Sequence, residues 1–204
     1  MGSDPFTFWH PGPDPTVNAV HIFIAEQAMD DATCRRVQAA MEVGVREPTE
    51  VILDDMALVE EVRRASHIEV PPAIFELIDA HLDAQRLAIA TFFRWRLESR
   101  EGVNLLRYDA GGFYKPHVDR AELPAWPPAV RRAVTVILFL ESSREADVDG
   151  GFTGGILRLF PEGKDTPIEI VPKRGMLVAF PADTVHEVTL VEEGHRDTVV
   201  DWFS

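Results

Sequence analysis

The hydrophobic period changes once along this chain, and that change bounds the fold. Up to about residue 91 the apolar residues recur at helical spacing; from Phe92 onward they alternate. In the first half, Val20–Ile24 reads as a short strand. Asp31 can cap a helix running to about Val43 and ended by Gly44. Met56–Ala65 places Leu58, Val59 and Val62 on one helical face. Pro71-Pro72 opens a longer helix with Ile74, Leu77, Ile78 and Leu82 in a stripe continuing towards Leu87. The second half holds strand-like runs at Phe92–Leu97, Val103–Tyr108, Ala133–Leu140, Ile156–Phe160, Ile168–Val171, Met176–Phe180, Val185–Val191 and Thr198–Phe203, separated by turn residues. Many short strands behind a helical front imply an α+β fold: a jelly roll, or double-stranded β-helix, braced by N-terminal helices.

The 204 residues suit one domain. Residues 1–16, rich in Pro and Gly, read as a flexible arm or expression remnant. Residues 17–204 read as a single unit, with helical support over about 17–91 and the jelly-roll core over about 92–204. Net charge is −14, which argues against a broad phosphate-binding surface and hence against a nucleic-acid partner. No apolar run approaches membrane-spanning length and no signal pattern opens the chain, so a cytoplasmic protein without a membrane partner is expected. Cys34 is the single cysteine; it allows neither an internal disulfide nor a thiolate cluster and falls on an amphipathic helix as a buried thiol.

Four His-x-acid pairs occur: His67/Glu69, His81/Asp83, His117/Asp119 and His195/Asp197. With 7 His and 34 acidic residues about one is expected by chance, so context must choose. His81 and Asp83 lie in a helical pattern, where residues two apart do not share a face. His67/Glu69 sits beside Pro71 at a helix boundary. His117 and Asp119 read as extended, so both side chains can reach one ion, and Pro116 suits an edge or mouth position. His195/Asp197 also reads as extended but lacks a preceding Gly-Gly turn. A third ligand must come from another strand, and His186 follows an apolar strand and the turn Pro181-Ala182-Asp183, with Val188 and Leu190 on its face. Alone, such a histidine is more often a core residue bonded to a carbonyl; the upstream pair and Arg196 downstream tip the reading towards a ligand. Two imidazoles and one carboxylate are the facial set of non-haem Fe(II) oxygenases, leaving positions open for a chelating acid and dioxygen. A zinc hydrolase, with one open position for water, also fits these ligand types.

Three segments together resemble the Fe(II)/2-oxoglutarate oxygenases, in their prolyl hydroxylase-like branch. They are Arg107-Tyr108-(x5)-Tyr114-(x2)-His117-x-Asp119, the run Gly154 to Lys164, and His186-(x9)-Arg196 followed by Trp202-Phe203. The resemblance implies that His117, Asp119 and His186 bind Fe(II), that Arg196 pairs with the distal carboxylate of 2-oxoglutarate, that Tyr108 lines the co-substrate pocket, and that Tyr114 stands near the metal. It implies hydroxylation of an aliphatic C–H bond, in a prolyl residue or related protein, peptide or small-molecule substrate, with dioxygen consumed, succinate and CO2 released, and ascorbate as an optional reductant. By alignment Phe139 stands where many prolyl hydroxylases carry a tyrosine that bonds the distal carboxylate, so co-substrate binding is weaker or another donor substitutes. Nucleic-acid demethylation uses the same ligand set but is disfavoured by the charge and by Trp202, which replaces a second arginine. A non-catalytic jelly-roll module with a structural metal is the remaining alternative. The loop at 120–129 reads as either a substrate cover or a stiff surface connection.

Overall fold

The computed structural model describes residues 21–49, 61–120, 127–163 and 165–204. Seven antiparallel strands form the larger sheet, in the spatial order β1 (Phe23–Ala25), β11 (Leu177–Pro181), β7 (Val134–Phe139), β14 (His195–Phe203), β5 (Asn104–Asp109), β4 (Ser66–Glu69) and β2 (Val45–Pro48). Five form the smaller sheet, in the order β10 (Ile168–Ile170), β9 (Leu157–Phe160), β12 (Val185–Val188), β6 (Phe113–His117) and β3 (Arg63–Arg64). A short pair, β8 (Thr153–Gly154) and β13 (Val191–Glu193), lies beside them. Two helices, α1 (Asp31–Glu42) and α2 (Pro72–Phe93), precede most of the strands. This is the expected double-stranded β-helix braced by helices. No described helix is long and apolar enough to cross a membrane.

The larger sheet is buried on both faces, and strand alternation sorts its side chains. Val134, Val136 and Leu138 of β7, with Leu177, Ala179, Val199 and Phe203, meet Cys34, Val37 and Met41 of α1 and Ile74, Ile78, Leu82, Ile89 and Phe93 of α2. Each such buried side chain contributes about 1.5–3 kcal/mol of transfer free energy. The intervening residues Ile137 and Phe139 face the other way and pack with Leu157, Leu159, Ile170 and Phe180, which closes the smaller sheet over the larger. β7 is therefore buried along its whole length, and apolar at every position but Thr135, because both of its faces are covered.

Several boundaries differ from the sequence reading. The α1 cap is Asp30, whose carboxylate accepts from the Thr33 amide at 2.8 Å, one residue earlier than Asp31. Gly44 does not end α1 by a left-handed turn; it is needed because a Cβ there would strike the Glu69 carbonyl and come within 2.7 Å of Ile68 Cγ2 on β4. Of the helix expected over Met56–Ala65, residues 56–60 fall outside the described residues, while 61–65 form a turn and β3, whose pairing to β6 overrides the local apolar period. Phe92 and Phe93 are the last turn of α2 and not the start of a strand. Arg94 adopts a left-handed conformation (φ 56°) that stops the helix, and residues 95–99 form no regular element. Leu87 is helical but exposed. The run Val185–Val191 divides into β12 and β13, leaving Leu190 exposed between them. β2, β3, β4 and β8 were not legible as strands. The arm at 1–16 and the centre of the 120–129 loop fall outside the described residues; residues 127–131 form a 3-10 turn.

Candidate metal centre

Register across the smaller sheet assembles the site. His117 ends β6, and His186 on β12 is its direct cross-strand partner. Their rings lie 4.1 Å apart between centroids. Asp119 follows β6 by two residues, where the chain bends and its amide donates to the Ala182 carbonyl at 2.9 Å. That bond ties the end of β6 to the turn entering β12. The three side chains offer one ligand atom each, all within 4.8 Å of one another. β3 pairs with β6 only at Phe113 and Tyr114, so Pro116 occupies a stretch where no amide is required by that neighbour.

The tautomers follow by elimination. His117 Nδ1 sits 2.8 Å from the Lys115 carbonyl and His186 Nδ1 sits 2.9 Å from the Thr184 carbonyl. A carbonyl can only accept, so each Nδ1 carries the proton and each Nε2 lone pair is free. Those lone pairs face the carboxylate: His117 Nε2 is 3.7 Å from Asp119 Oδ1 and His186 Nε2 is 3.5 Å from Asp119 Oδ2. These separations exceed a hydrogen bond and suit atoms arranged around a cation. Burial, and then the neighbouring His186, push the His117 imidazole well below its ordinary range, which favours the neutral, ligating form. Burial opposes ionisation of Asp119, but the two imidazoles, the Trp202 indole and the Thr135 hydroxyl together hold its carboxyl below the usual value. Thr135 Oγ1 donates to Asp119 Oδ2 at 2.7 Å. Trp202 is the cross-strand partner of Thr135, and its Nε1 faces the carboxylate without closing a bond of good geometry.

Arg196 reaches the barrel interior from the opposite sheet. Along β14 the side chains alternate, so Arg196, Thr198 and Val200 share one face while Asp197 takes the other. Arg196 is only 2% exposed, yet its Nε and Nη2 have no partner among the described residues; Nη1 makes one long contact, 3.4 Å, with Thr198 Oγ1. Its guanidinium lies 5.2 Å from the ring centroids of both Tyr108 and Phe139. Burial pushes its pKa down to about 10. Gly155, at φ 60°, brings its backbone so close that an added Cβ would stand 3.0 Å from Arg196 Cδ. A buried guanidinium walled by aromatic rings, with no acid bonded to it among the described residues, is chemically suited to pairing with a carboxylate. Asp197, its neighbour in sequence, is committed elsewhere: Arg107 Nε and Nη2 grip it at 2.7 Å each, and Arg107 also bonds Glu42 at 2.7 Å. Glu42, His195 and Asp197 also bring ligand atoms within 4.8 Å of one another, but there both carboxylates are already bonded to the Arg107 guanidinium. His67 lies on β4 and His81 on α2, where its Nδ1–H donates to the Leu77 carbonyl at 2.8 Å.

Tyr108 is buried beneath Arg196, and Tyr114 stacks on His117 with centroids 3.4 Å apart. Burial raises the Tyr114 hydroxyl to about 12, so it stays a proton donor. Sequence reasoning missed Thr135 and Arg63. Thr135 had no local signature; only the alternation of β7, which sets it on the same face as Phe139, could have marked it.

Residues 103–204 match the model of the 2OG-Fe(II) oxygenase superfamily, and the chain belongs to that family. Over 98 residues it is 32% identical to a PKHD-type hydroxylase of Nitrobacter winogradskyi; the match covers 47% of this chain and 40% of that protein. In fold it is similar to a prolyl-4-hydroxylase of Pseudomonas putida (TM-score 0.69, 22% identity, 90% of this chain and 92% of the other). It is also similar to a Trichoplax adhaerens prolyl hydroxylase solved with a hypoxia inducible factor peptide (0.69, 18%, 91% and 84%). A third is the viral collagen prolyl hydroxylase of Paramecium Bursaria Chlorella virus-1, solved with 2OG (0.63, 21%, 90% and 95%). The fold is thus that of the prolyl hydroxylases, as the sequence motifs imply.

Proposed function

We propose that this chain is an Fe(II)- and 2-oxoglutarate-dependent dioxygenase that hydroxylates an aliphatic C–H bond of a prolyl or related residue. One observation carries the reading: a His117/Asp119/His186 cluster with free Nε2 lone pairs lies in the same barrel as a buried guanidinium that has no acid of its own. In this reading His117, Asp119 and His186 would hold Fe(II), which would supply the chemistry that couples oxidation of 2-oxoglutarate by dioxygen, to succinate and CO2, with hydroxylation of the substrate. Arg196 neutralises the distal carboxylate of 2-oxoglutarate. Thr198, opposite Phe139 in register and beside Arg196, offers the hydroxyl that Phe139 lacks. Tyr108 walls the co-substrate and Tyr114 holds the outer face of His117. Thr135 orients Asp119 so that one oxygen stays free for the ion. Residues 17–204 act as one unit, because the helices cover one face of the sheet that carries Arg196 on the other. A net charge of −14 favours a protein, peptide or small-molecule substrate over nucleic acid. The lone thiol suits the cytoplasm, where ascorbate or another reductant would keep iron ferrous.

Anaerobic titration with Fe(II) and 2-oxoglutarate tests the reading. A visible charge-transfer band of the chelate is expected, weakened in Asp119→Ala and Arg196→Ala. A folded, metal-binding protein that never develops the band would overturn the proposal and favour a zinc hydrolase or a non-catalytic module.

A further inference from the structure

Arg196 is not the sole guanidinium near this site with an unanswered N–H. Among the described residues Arg63 also has a buried Nε without a partner. It makes no ion pair among them and no hydrogen bond from its guanidinium, whereas the adjacent Arg64 donates to the Gly111 carbonyl at 3.3 Å and lies over the Phe113 ring. Arg63 sits on β3, opposite Tyr114 on β6. Its guanidinium lies 4.7 Å from the Tyr114 ring centroid, and Tyr114 in turn stacks on His117. A ladder of three side chains therefore runs from a cation at the rim to the candidate metal ligand. Two positive groups, Arg63 and Arg132, act on Tyr114. Arg132 is already neutralised: its Nε donates to Glu101 at 2.6 Å and its guanidinium covers Trp202 at 3.6 Å. Among the described residues no acid pairs with Arg63, on a chain whose net charge is −14.

We propose that Arg63 anchors a carboxylate of the substrate, so that this enzyme takes an amino-acid-like or C-terminal residue with a free carboxylate near the oxidised C–H. The inference rests on the oxygenase reading above and narrows its substrate class. The cation at Arg63 is separate from Arg196, which lies in the opposite sheet, so one enzyme can hold two carboxylates on two arginines. A neutral backbone carbonyl would satisfy the Nε–H but leave the charge uncompensated; a carboxylate satisfies both and can bind bidentately. The Tyr114 hydroxyl, on the ring that Arg63 covers, adds a polar group beside it.

The full chain loaded with Mn(II), which holds the ligands without turnover, is first titrated with 2-oxoglutarate. It is then titrated calorimetrically with N-acetyl-L-proline and N-acetyl-L-isoleucine and with the amide of each. The parent is expected to bind at least one acid about 10- to 100-fold more tightly than its amide, the range of one charge-assisted hydrogen bond. Arg63→Gln should erase that preference and Arg63→Lys restore part of it, with unfolding midpoints reporting that both variants fold. Equal binding of acid and amide, binding of neither, or a preference that survives in Arg63→Gln overturns the anchor. Failure of 2-oxoglutarate itself to bind would instead sink the oxygenase reading and the anchor with it.

Discussion

Replacing Arg196 with methionine should stabilise the ligand-free protein. The guanidinium is buried with two N–H groups unpartnered, and the fall of its pKa from 12.5 to about 10 corresponds to roughly 3 kcal/mol of penalty on the charged form. Contacts with the Tyr108 and Phe139 rings, each at 5.2 Å, return roughly 1 kcal/mol. Methionine has a similar volume, keeps the ring contacts and needs no partner, so a net gain of about 2 kcal/mol is expected, or roughly 4–8 °C in Tm for a chain of this size. The sign in pH follows from the depressed pKa. The folded state gives up this proton more readily than the unfolded state, so the penalty is full at neutral pH and is relieved only as pH rises from 10 towards 12.5. The gain from Arg196→Met should therefore be flat below about pH 9. Urea unfolding of parent and variant, metal-free and then with 2-oxoglutarate and Mn(II), measures it. Mn(II) should stabilise both proteins through the intact His117/Asp119/His186 cluster, whereas 2-oxoglutarate added to the Mn(II) form should stabilise the parent further and the variant little. A variant less stable than the ligand-free parent by about 1 kcal/mol or more would refute the reasoning, because the guanidinium would then be satisfied where it stands.

Thr135→Val keeps the shape of the side chain and removes the 2.7 Å bond to Asp119; Mn(II) affinity by calorimetry should fall about 10- to 100-fold, with Thr135→Ser close to the parent, and an unchanged affinity would exclude an orienting role. Cys34, buried and with its thiol pushed up to about 11 by burial, should resist iodoacetamide at pH 8 and react only on unfolding; alkylation at the rate of free cysteine would refute its burial. Gly44→Ala should lower stability by about 1–3 kcal/mol in urea, since its Cβ meets β4 backbone and Ile68; a stabilised variant would show that α1 and β4 can separate.

The metal cluster was only partly local. The i, i+2 spacing of His117 and Asp119 is written in the chain, and an extended segment sends both side chains the same way. The partner histidine was chosen by a remote motif, and its register opposite His117 exists only once β12 pairs with β6. The helical front was harder to read. Phe92 to Leu97 alternates like a strand, but Phe92 and Phe93 finish a long helix whose packed stripe outweighs two aromatic residues. Short β2, β3 and β4 carry Arg, Glu, Ser and His in place of alternating apolar residues, since they draw their stability from neighbours. Arg63 was passed over for that reason: its meaning depends on lying across from Tyr114. By itself, then, the sequence determined the strand-rich second half, the extended His-x-Asp, and the ionic character of the candidate ligands, because each rests on spacing within a few residues. The tertiary structure alone decided which face Arg196 presents, that Asp197 belongs to Arg107, and that Thr135 supports Asp119, because those pairings join strands up to ninety residues apart and are set by sheet register.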